Sequence, residues 1–145
     1  MPNRRRIGLV GCVKSKLDRP AQARNLYTSP LFRGRRREVE RTCDRWFVLS
    51  AKHGLVAPNT VLEPYDQTLK SAGRRDKRRW SDEVLAALQL ELGPLAATTF
   101  EIHAGNEYRA FGLEHGIREL GGIVIVPTAG LSLGQQLAYY GARNQ

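Results

Sequence analysis

The sequence has only two cysteines, and neither is placed for a metal clip: Cys12 and Cys43 form no CxxC pair and have no second Cys or His beside them. That leaves a zinc site without support, and a reducing compartment argues against a disulfide as well. We expect no metal and no cofactor. Long hydrophobic runs are also missing, since no stretch approaches the roughly 20 apolar residues that a bilayer span requires. After Arg4, Arg5 and Arg6, the run Ile7–Val13 breaks off at a charged loop, too soon for a signal peptide. A cytoplasmic protein with no membrane partner is therefore expected. There is no internal repeat, no low-complexity tract and no linker, so the 145 residues are read as one domain, 1–145, long enough to bury a core without staples.

Acidic side chains are the minority charge, 14 against 23 Lys and Arg. The excess is local: Arg33, Arg35, Arg36, Arg37 and Arg41 form one run, and Lys70, Arg74, Arg75, Lys77, Arg78 and Arg79 form another. Such runs attract phosphate polymers by counterion release. One run alone reads as a solvated face that keeps a protein soluble. Two runs with few interleaved acids read instead as a nucleic-acid footprint, DNA favoured.

Ile7–Val13 is a short apolar run and reads as a buried first strand. Lys14–Thr28 reads as a polar loop. Ser29-Pro30 then starts a helix to about Thr42, because Ser caps free N–H groups and Pro fits the first turn without losing a bond. Trp46–Ser50 is a second strand, and Ala51–Asp66, with Gly54, Pro58, Asn59 and Pro64, is a long loop of the kind that usually has a function. From about Ser71 to Leu92 a basic stretch passes into a helix with Trp80, Val84, Leu85, Leu88 and Leu92 on one face, closed by Gly93-Pro94. Thr99–Ala104 is a third strand. Glu107–Leu120 is a helix with Phe111, Ile117 and Leu120 inward, Ile123–Val126 a fourth strand, and Leu133, Leu137 and Tyr140 mark a last helix. Alternating strands and helices predict an α/β protein: a three-layer Rossmann-like fold with a mainly parallel sheet of about four strands, the first two adjacent and near the centre.

In an open α/β sheet, ligands bind at the carboxyl ends of the strands, and the chemically capable residues of this sequence fall there repeatedly. Gly11, Cys12, Lys14, Ser15 and Lys16 follow the first strand; Ser50, Lys52, His53 and Gly54 the second. Gly105, Asn106, Glu107, Tyr108 and Arg109 follow the third, and Pro127, Thr128 and Gly130 the fourth. The first loop is neither GxxxxGK[ST] nor GxGxxG, so triphosphate and dinucleotide readings are weak. Lys14, Ser15 and Lys16 can still hold a phosphate or the edge of a base, while Cys12 reads as a small buried filler rather than a nucleophile.

The second loop is the most informative. Ser50, Lys52 and His53 put a hydroxyl, an amine and an imidazole in one turn, and Pro64-Tyr65-Asp66 can return a carboxylate to it. A histidine bonded to backbone explains His53 equally well, and Asp66 can equally be a helix N-cap. Their company on one loop at a sheet's carboxyl end favours a site.

Leu49–Leu69 (LSAKHGLVAPNTVLEPYDQTL) resembles the segment of YaaA-like proteins in which a strand runs into a Ser-Gly/Ala-x-x-Gly-Leu turn and then a Pro-Tyr pair. From Gly11-Cys-Val-Lys-Ser-Lys16 through Leu26-Tyr-Thr-Ser-Pro-Leu-Phe32 to Gly105-Asn-Glu-Tyr-Arg109, nearly the whole chain looks like a small-protein branch of that group. The chain is much shorter than YaaA, and Asp66 stands where the group often has Arg. The resemblance implies nucleic-acid binding linked to DNA damage and, more remotely, a likeness to uracil-DNA-glycosylase-type and transglycosylase-type proteins that detach nucleobases.

Base excision suits the residue types on its own terms. Breaking an N-glycosidic bond builds an oxocarbenium-like sugar that a carboxylate stabilises, and the departing base needs a donor. Asp66 is the expected carboxylate, or activates water; His53 or Lys52 donates, and Lys52 can alternatively form a Schiff base. Cys12, Ser15, Tyr27, Ser50, Tyr65, Gly105, Tyr108 and Arg109 are expected around the base and sugar, with the tyrosines lining a pocket for a flipped base or packing in the core. Lys14, Lys16, Arg35, Arg36, Arg74, Arg75, Arg78 and Arg79 are expected on the phosphate backbone. The reading is a DNA glycosylase acting on a damaged or modified base, with a non-catalytic nucleic-acid-binding module, or a nucleoside hydrolase or deoxyribosyltransferase, as alternatives.

Overall fold

The computed structural model describes residues 5–143. Arg4, the first of the arginines that precede the first strand, lies outside them. Four apolar runs form the parallel strands: β1 (Arg6–Gly11), β3 (Arg45–Ser50), β6 (Thr99–His103) and β7 (Ile123–Ile125). β1 lies between β3 and β6, with Leu9 opposite Phe47 on one side and Ile102 on the other, and β7 pairs outside β6. Leu9, Val10, Val48 and Ile102 are fully buried.

A fifth strand, β4 (Gly54–Val56), pairs antiparallel with β3 at the sheet's edge, Ser50 opposite Gly54 and Val48 opposite Val56. The sequence reads these residues as loop. The reversal is made by the Ala51-Lys52-His53 turn, and Gly54 at φ +71° completes it in a conformation that L side chains rarely adopt. The sheet order is β4-β3-β1-β6-β7, five strands and mainly parallel. The segment expected to be a polar loop, Lys14–Thr28, also carries structure: β2 (Ala21–Gln22) pairs antiparallel with β5 (Val61–Leu62), and α1 (Ala23–Leu26) follows at once. The Ala23 and Arg24 amides donate to the carbonyls of Thr60 and Pro58, so the two long loops are clipped together.

The helix α2 (Pro30–Thr42) begins as expected, its Ser29 hydroxyl accepting from the Phe32 amide at 3.1 Å with Pro30 in the first turn. α3 (Arg74–Leu92) starts later than Ser71, capped by Gly73, so Asp66 is not its N-cap. Trp80, Val84 and Leu88 are buried along one face. The helix expected over Glu107–Leu120 is two, α4 (Asn106–Arg109) and α5 (Leu113–Glu119), broken where Gly112 takes φ +125°. Ile117 is buried and Phe111 half-buried, but Leu120 caps α5 and is exposed. In α6 (Leu133–Arg143) Tyr140 is buried, whereas Leu133 and Leu137 are exposed.

A polar network holds α6 in place. Tyr140 lies across Gly34 of α2, where an added Cβ would stand 2.7 Å from the Tyr140 Cβ, so the two helices approach at a residue without a side chain. His103 sits between Tyr140 Oη at 2.6 Å and Glu101 Oε1 at 2.7 Å, and Arg6 closes on Glu101 at 2.6 Å. The buried Glu38 receives Arg41 at 2.7 Å and Arg143 at 2.6 Å. Each buried carboxylate is thus paired, as burial requires. No helix among the described residues is long and apolar enough to cross a membrane.

Candidate functional site

β1 and β3 end side by side, and the backbone continues the pairing one step further, the Cys12 amide donating to the Leu49 carbonyl at 2.9 Å. This sets Cys12 at the lip of the sheet, its Sγ 3.4 Å from the Ala51 amide and 3.1 Å from Tyr108 Oη. Tyr108 arrives on α4, after β6. Trp80 of α3 holds the same corner: its indole donates to the Ser50 carbonyl at 2.8 Å, and its ring meets Tyr108 edge-on at 5.3 Å.

Beyond this corner opens a cleft of about 1100 Å³. Lys14 and Lys16 line it from the first loop, Asp66, Thr68 and Lys70 from the second, and Glu107 and Tyr108 from the third. The first and third of the four expected strand ends therefore meet here, while the second is represented only by the returning segment from Asp66 onward, since Ser50, Lys52, His53 and Gly54 do not line the cleft. The fourth does not reach it: Thr128, after β7, is buried instead. Gln67, Thr68 and Ser71 are wall residues that the sequence reading missed, although they closely follow Pro64-Tyr65-Asp66, and Lys70 comes here from the second basic run.

Asp66 is held out into the cleft by the residue before it. Tyr65 is buried, its hydroxyl 2.8 Å from Ser50 Oγ and 2.6 Å from Tyr27 Oη, and Ser50 Oγ also accepts the His53 amide at 3.0 Å. Burial pushes the Tyr27 phenol up to about 12 and Tyr65 higher still, so both stay protonated. Ser50, Tyr27 and Tyr65 are therefore the clamp that fixes the loop; with their hydroxyls bonded and rings buried, Tyr27 and Tyr65 do not offer faces to a flipped base. Tyr108 keeps that possibility.

Lys16 lays its ammonium over the Tyr65 ring, 4.4 Å from the centroid. Burial lowers its pKa against the pull of Cys12 and Asp66, which favour the charged form. Lys52 and His53 are exposed, and neither lines the cleft. His53 packs edge-on against Tyr65, and the partial desolvation of its ring together with the neighbouring Lys52 lowers its pKa and so favours the neutral imidazole. The amines that line the cleft are thus Lys14, Lys16 and Lys70, and Glu107 is a second carboxylate beside Asp66, where the sequence reading favoured Lys52 and His53. Gly105 caps α4, and Ser15 is exposed, its carbonyl taken by the Thr28 amide.

The arginines divide into two groups. Arg35 is buried, donating to the Gly11 carbonyl at 3.3 Å and to Gln136 at 3.4 Å; Arg36 is held by Glu40, Asn25 and the Arg24 carbonyl. Arg109 is clamped between the Ala104 carbonyl and Glu114 at 2.6 Å. These three are structural, a correction to their expected place on a phosphate backbone or in a pocket: each already has internal acceptors. By contrast Arg74, Arg75, Arg78 and Arg79 are exposed and have no carboxylate partner among the described residues. The free positive charge of α3 adjoins the cleft through Lys70 and Ser71.

Among the described residues no group of three or more His, Cys, Asp or Glu is placed to hold a metal ion, and both cysteines are free. The fold and site define a mixed α/β protein with a lysine- and carboxylate-lined cleft at the carboxyl ends of a mainly parallel sheet. The chain belongs to DUF6884, a family of unknown function, which it matches over residues 7–142. No curated protein and no solved structure matches it.

Proposed function

We propose that the cleft receives a nucleobase with its sugar, and that the protein is a DNA glycosylase cleaving the N-glycosidic bond of a damaged or modified base. The observation that carries this reading is the meeting of two carboxylates, Asp66 and Glu107, with three lysines and the Tyr108 phenol in one cleft. In such a reaction the bond from C1′ to the base nitrogen breaks, the electron pair leaves with the base, and water adds to C1′. Asp66 stabilises the cationic sugar, Glu107 takes the proton from the water, and the Lys16 ammonium donates to the departing base. The unpaired arginines of α3 supply affinity for phosphate.

The resemblance to YaaA-like proteins supports a DNA substrate, and the clamp gives that motif a physical role: Ser50 and Tyr65 are bonded partners that present Asp66. A Rossmann-like three-layer arrangement belongs to the same proposal. It is supported by the packing of α2 on β1, β3 and α6, and of α3 on β4 and α5. A cytoplasmic location suits the free thiols.

The test is incubation of the protein with single-stranded and duplex oligonucleotides carrying uracil, oxidised, alkylated or hypermodified bases, followed by mass analysis for released base. Base release by the parent protein, lowered by roughly 10²-fold or more in Asp66→Asn with binding retained, is the expected result. Tight binding with no release across the panel converts the reading to a non-catalytic nucleic-acid-binding module. Turnover of free nucleosides with weak, salt-insensitive DNA binding converts it to a nucleoside hydrolase or deoxyribosyltransferase.

A further inference from the structure

A second concavity, of about 730 Å³, lies between the first turns of α3 and the elbow that joins α4 to α5. The exposed Arg74, Arg75, Arg78, Ala110 and His115 form its rim, and the half-buried Phe111 and Gly112 its floor. The elbow exists because Gly112, at φ +125°, breaks what would otherwise be one helix, and the break leaves Phe111 half-buried. Lys77 holds its ammonium 4.6 Å from the Phe111 ring centroid. The three rim arginines have no carboxylate partner among the described residues, and His115 meets only the exposed Glu119 at 3.3 Å.

The lining of this groove follows that of the cleft closely along the chain in two places. In the first, Lys70 and Ser71 line the cleft and Arg74 begins the groove; in the second, Glu107 and Tyr108 line the cleft, and Ala110 and Phe111 the groove. Three residues of chain bridge at most about 11 Å, so Ser71 and Arg74 stand within reach of neighbouring nucleotides. A duplex backbone needs cations alone and offers no base face to a protein ring. An unstacked base with its phosphate needs both an aromatic floor and a basic rim.

We propose that this groove holds a nucleotide of single-stranded nucleic acid next to the one in the cleft, its phosphate on Arg74, Arg75 and Arg78 and its base against Phe111. The inference rests on the nucleic-acid reading of the cleft and adds the form of the strand: the protein prefers single-stranded nucleic acid to a perfect duplex.

Fluorescence anisotropy with a labelled single-stranded DNA oligonucleotide, alone and annealed to its complement, tests this. Arg74→Gln/Arg78→Gln is expected to weaken single-strand binding about tenfold, since it removes two phosphate contacts. The charge-matched Arg33→Gln/Arg37→Gln on α2 removes two arginines that are equally exposed but line neither the groove nor the cleft, and is expected to weaken it by less than about threefold. Phe111→Leu keeps an apolar floor without a ring, and is expected to reduce single-strand binding and leave duplex binding unchanged. Phe111→Trp keeps the ring; its fluorescence is expected to be quenched by the single strand and not by the duplex, a readout that stands even where Phe111→Leu is poorly folded. Equal losses in the two double variants, or no quenching of Phe111→Trp by either strand form, overturn the proposal. Base release by the parent protein with an unaffected groove variant removes the groove and leaves the cleft reading standing. Failure of the parent protein to bind either strand form at low salt removes both.

Discussion

The Tyr65 hydroxyl lies 2.8 Å from Ser50 Oγ, and this contact fastens the loop that carries Asp66 to the end of the central strand β3. Ser50, Tyr65 and Tyr27 form a chain of three hydroxyls that are each buried, so removal of the middle one leaves Tyr27 without its partner. Tyr65→Phe is therefore expected to cost about 1–3 kcal/mol, the penalty for an unsatisfied buried polar group. Ser50→Ala also removes the acceptor of the His53 amide. In a urea-unfolding double-mutant cycle the two substitutions should couple, with the double variant less destabilised than the sum of the single ones.

Glu101 gives a pH-dependent contribution whose sign is fixed by its surroundings. Burial alone would raise its pKa, but hydrogen bonds from His103 and Arg6, with their charges, outweigh burial and bring it down to about 2. The carboxyl therefore titrates below its unfolded value of about 4.3. Its contribution, on the order of 3 kcal/mol, is fully present above about pH 4.3 and is lost as the pH falls toward 2. Glu101→Gln is expected to be less stable than the parent at pH 7, and the difference should shrink to near zero by about pH 2. Urea unfolding of the two proteins across this range measures it.

Sequence patterning reveals the strands because each is a continuous apolar run between turn residues, as in Trp46-Phe-Val-Leu-Ser50. Ser29-Pro30 marks its helix for an equally local reason. The antiparallel β4 escapes notice because three residues, Gly54-Leu55-Val56, carry no alternation to read. Arg35 looks like Arg36 and Arg37 when counted as charge. Yet it stands three residues after Phe32 and four before Val39, both buried, and that spacing places it on the inner face of α2. Glu38 stands three residues after Arg35 and four after the buried Gly34, which places it on the same inner face. Lys16 and Lys52 cannot be ranked from the sequence at all, because what separates them is a contact between Lys16 and the ring of Tyr65, distant along the chain.

The division of the arginines predicts which charges govern the salt dependence of DNA binding. Each neutralised phosphate contributes a slope of roughly 0.9 in log affinity against log salt on a duplex and roughly 0.7 on a single strand. Replacing Arg74, Arg75, Arg78 and Arg79 together with Gln should lower the slope on a single strand by up to roughly 3. Arg36→Gln should leave it unchanged, since that side chain is occupied by Glu40 and Asn25. Titrations at several salt concentrations compare the two. A loss of roughly 0.7 in Arg36→Gln, the full share of one phosphate contact, would mean that this occupied arginine is as available to phosphate as the free ones.

The last prediction separates the two lysines that flank the central loop. Lys16 lines the cleft, lies over Tyr65, and has its pKa lowered by burial, while Lys52 is exposed and outside the cleft wall. If the Lys16 amine donates to the departing base, Lys16→Met should lower single-turnover base release by roughly 10²-fold, within the usual range for a lost general acid. Methionine keeps an apolar stem on the Tyr65 ring, so the clamp is spared while the ammonium is lost. Lys52→Ala should change release by less than about threefold, as for a group that makes no contact with the reacting atoms. Borohydride trapping adds the chemical route. An amine that attacks C1′ as the base leaves forms a bond from nitrogen to carbon; the sugar ring then opens to an imine, which hydride reduces to a permanent adduct. Hydrolysis by Asp66 and Glu107 needs no such bond, so base release without an adduct is the expected result in the parent protein. An adduct lost in Lys16→Met and kept in Lys52→Ala would replace hydrolysis with lyase chemistry at the same residue. An adduct lost only in Lys52→Ala would return the chemistry to the exposed turn and remove Lys16 from it.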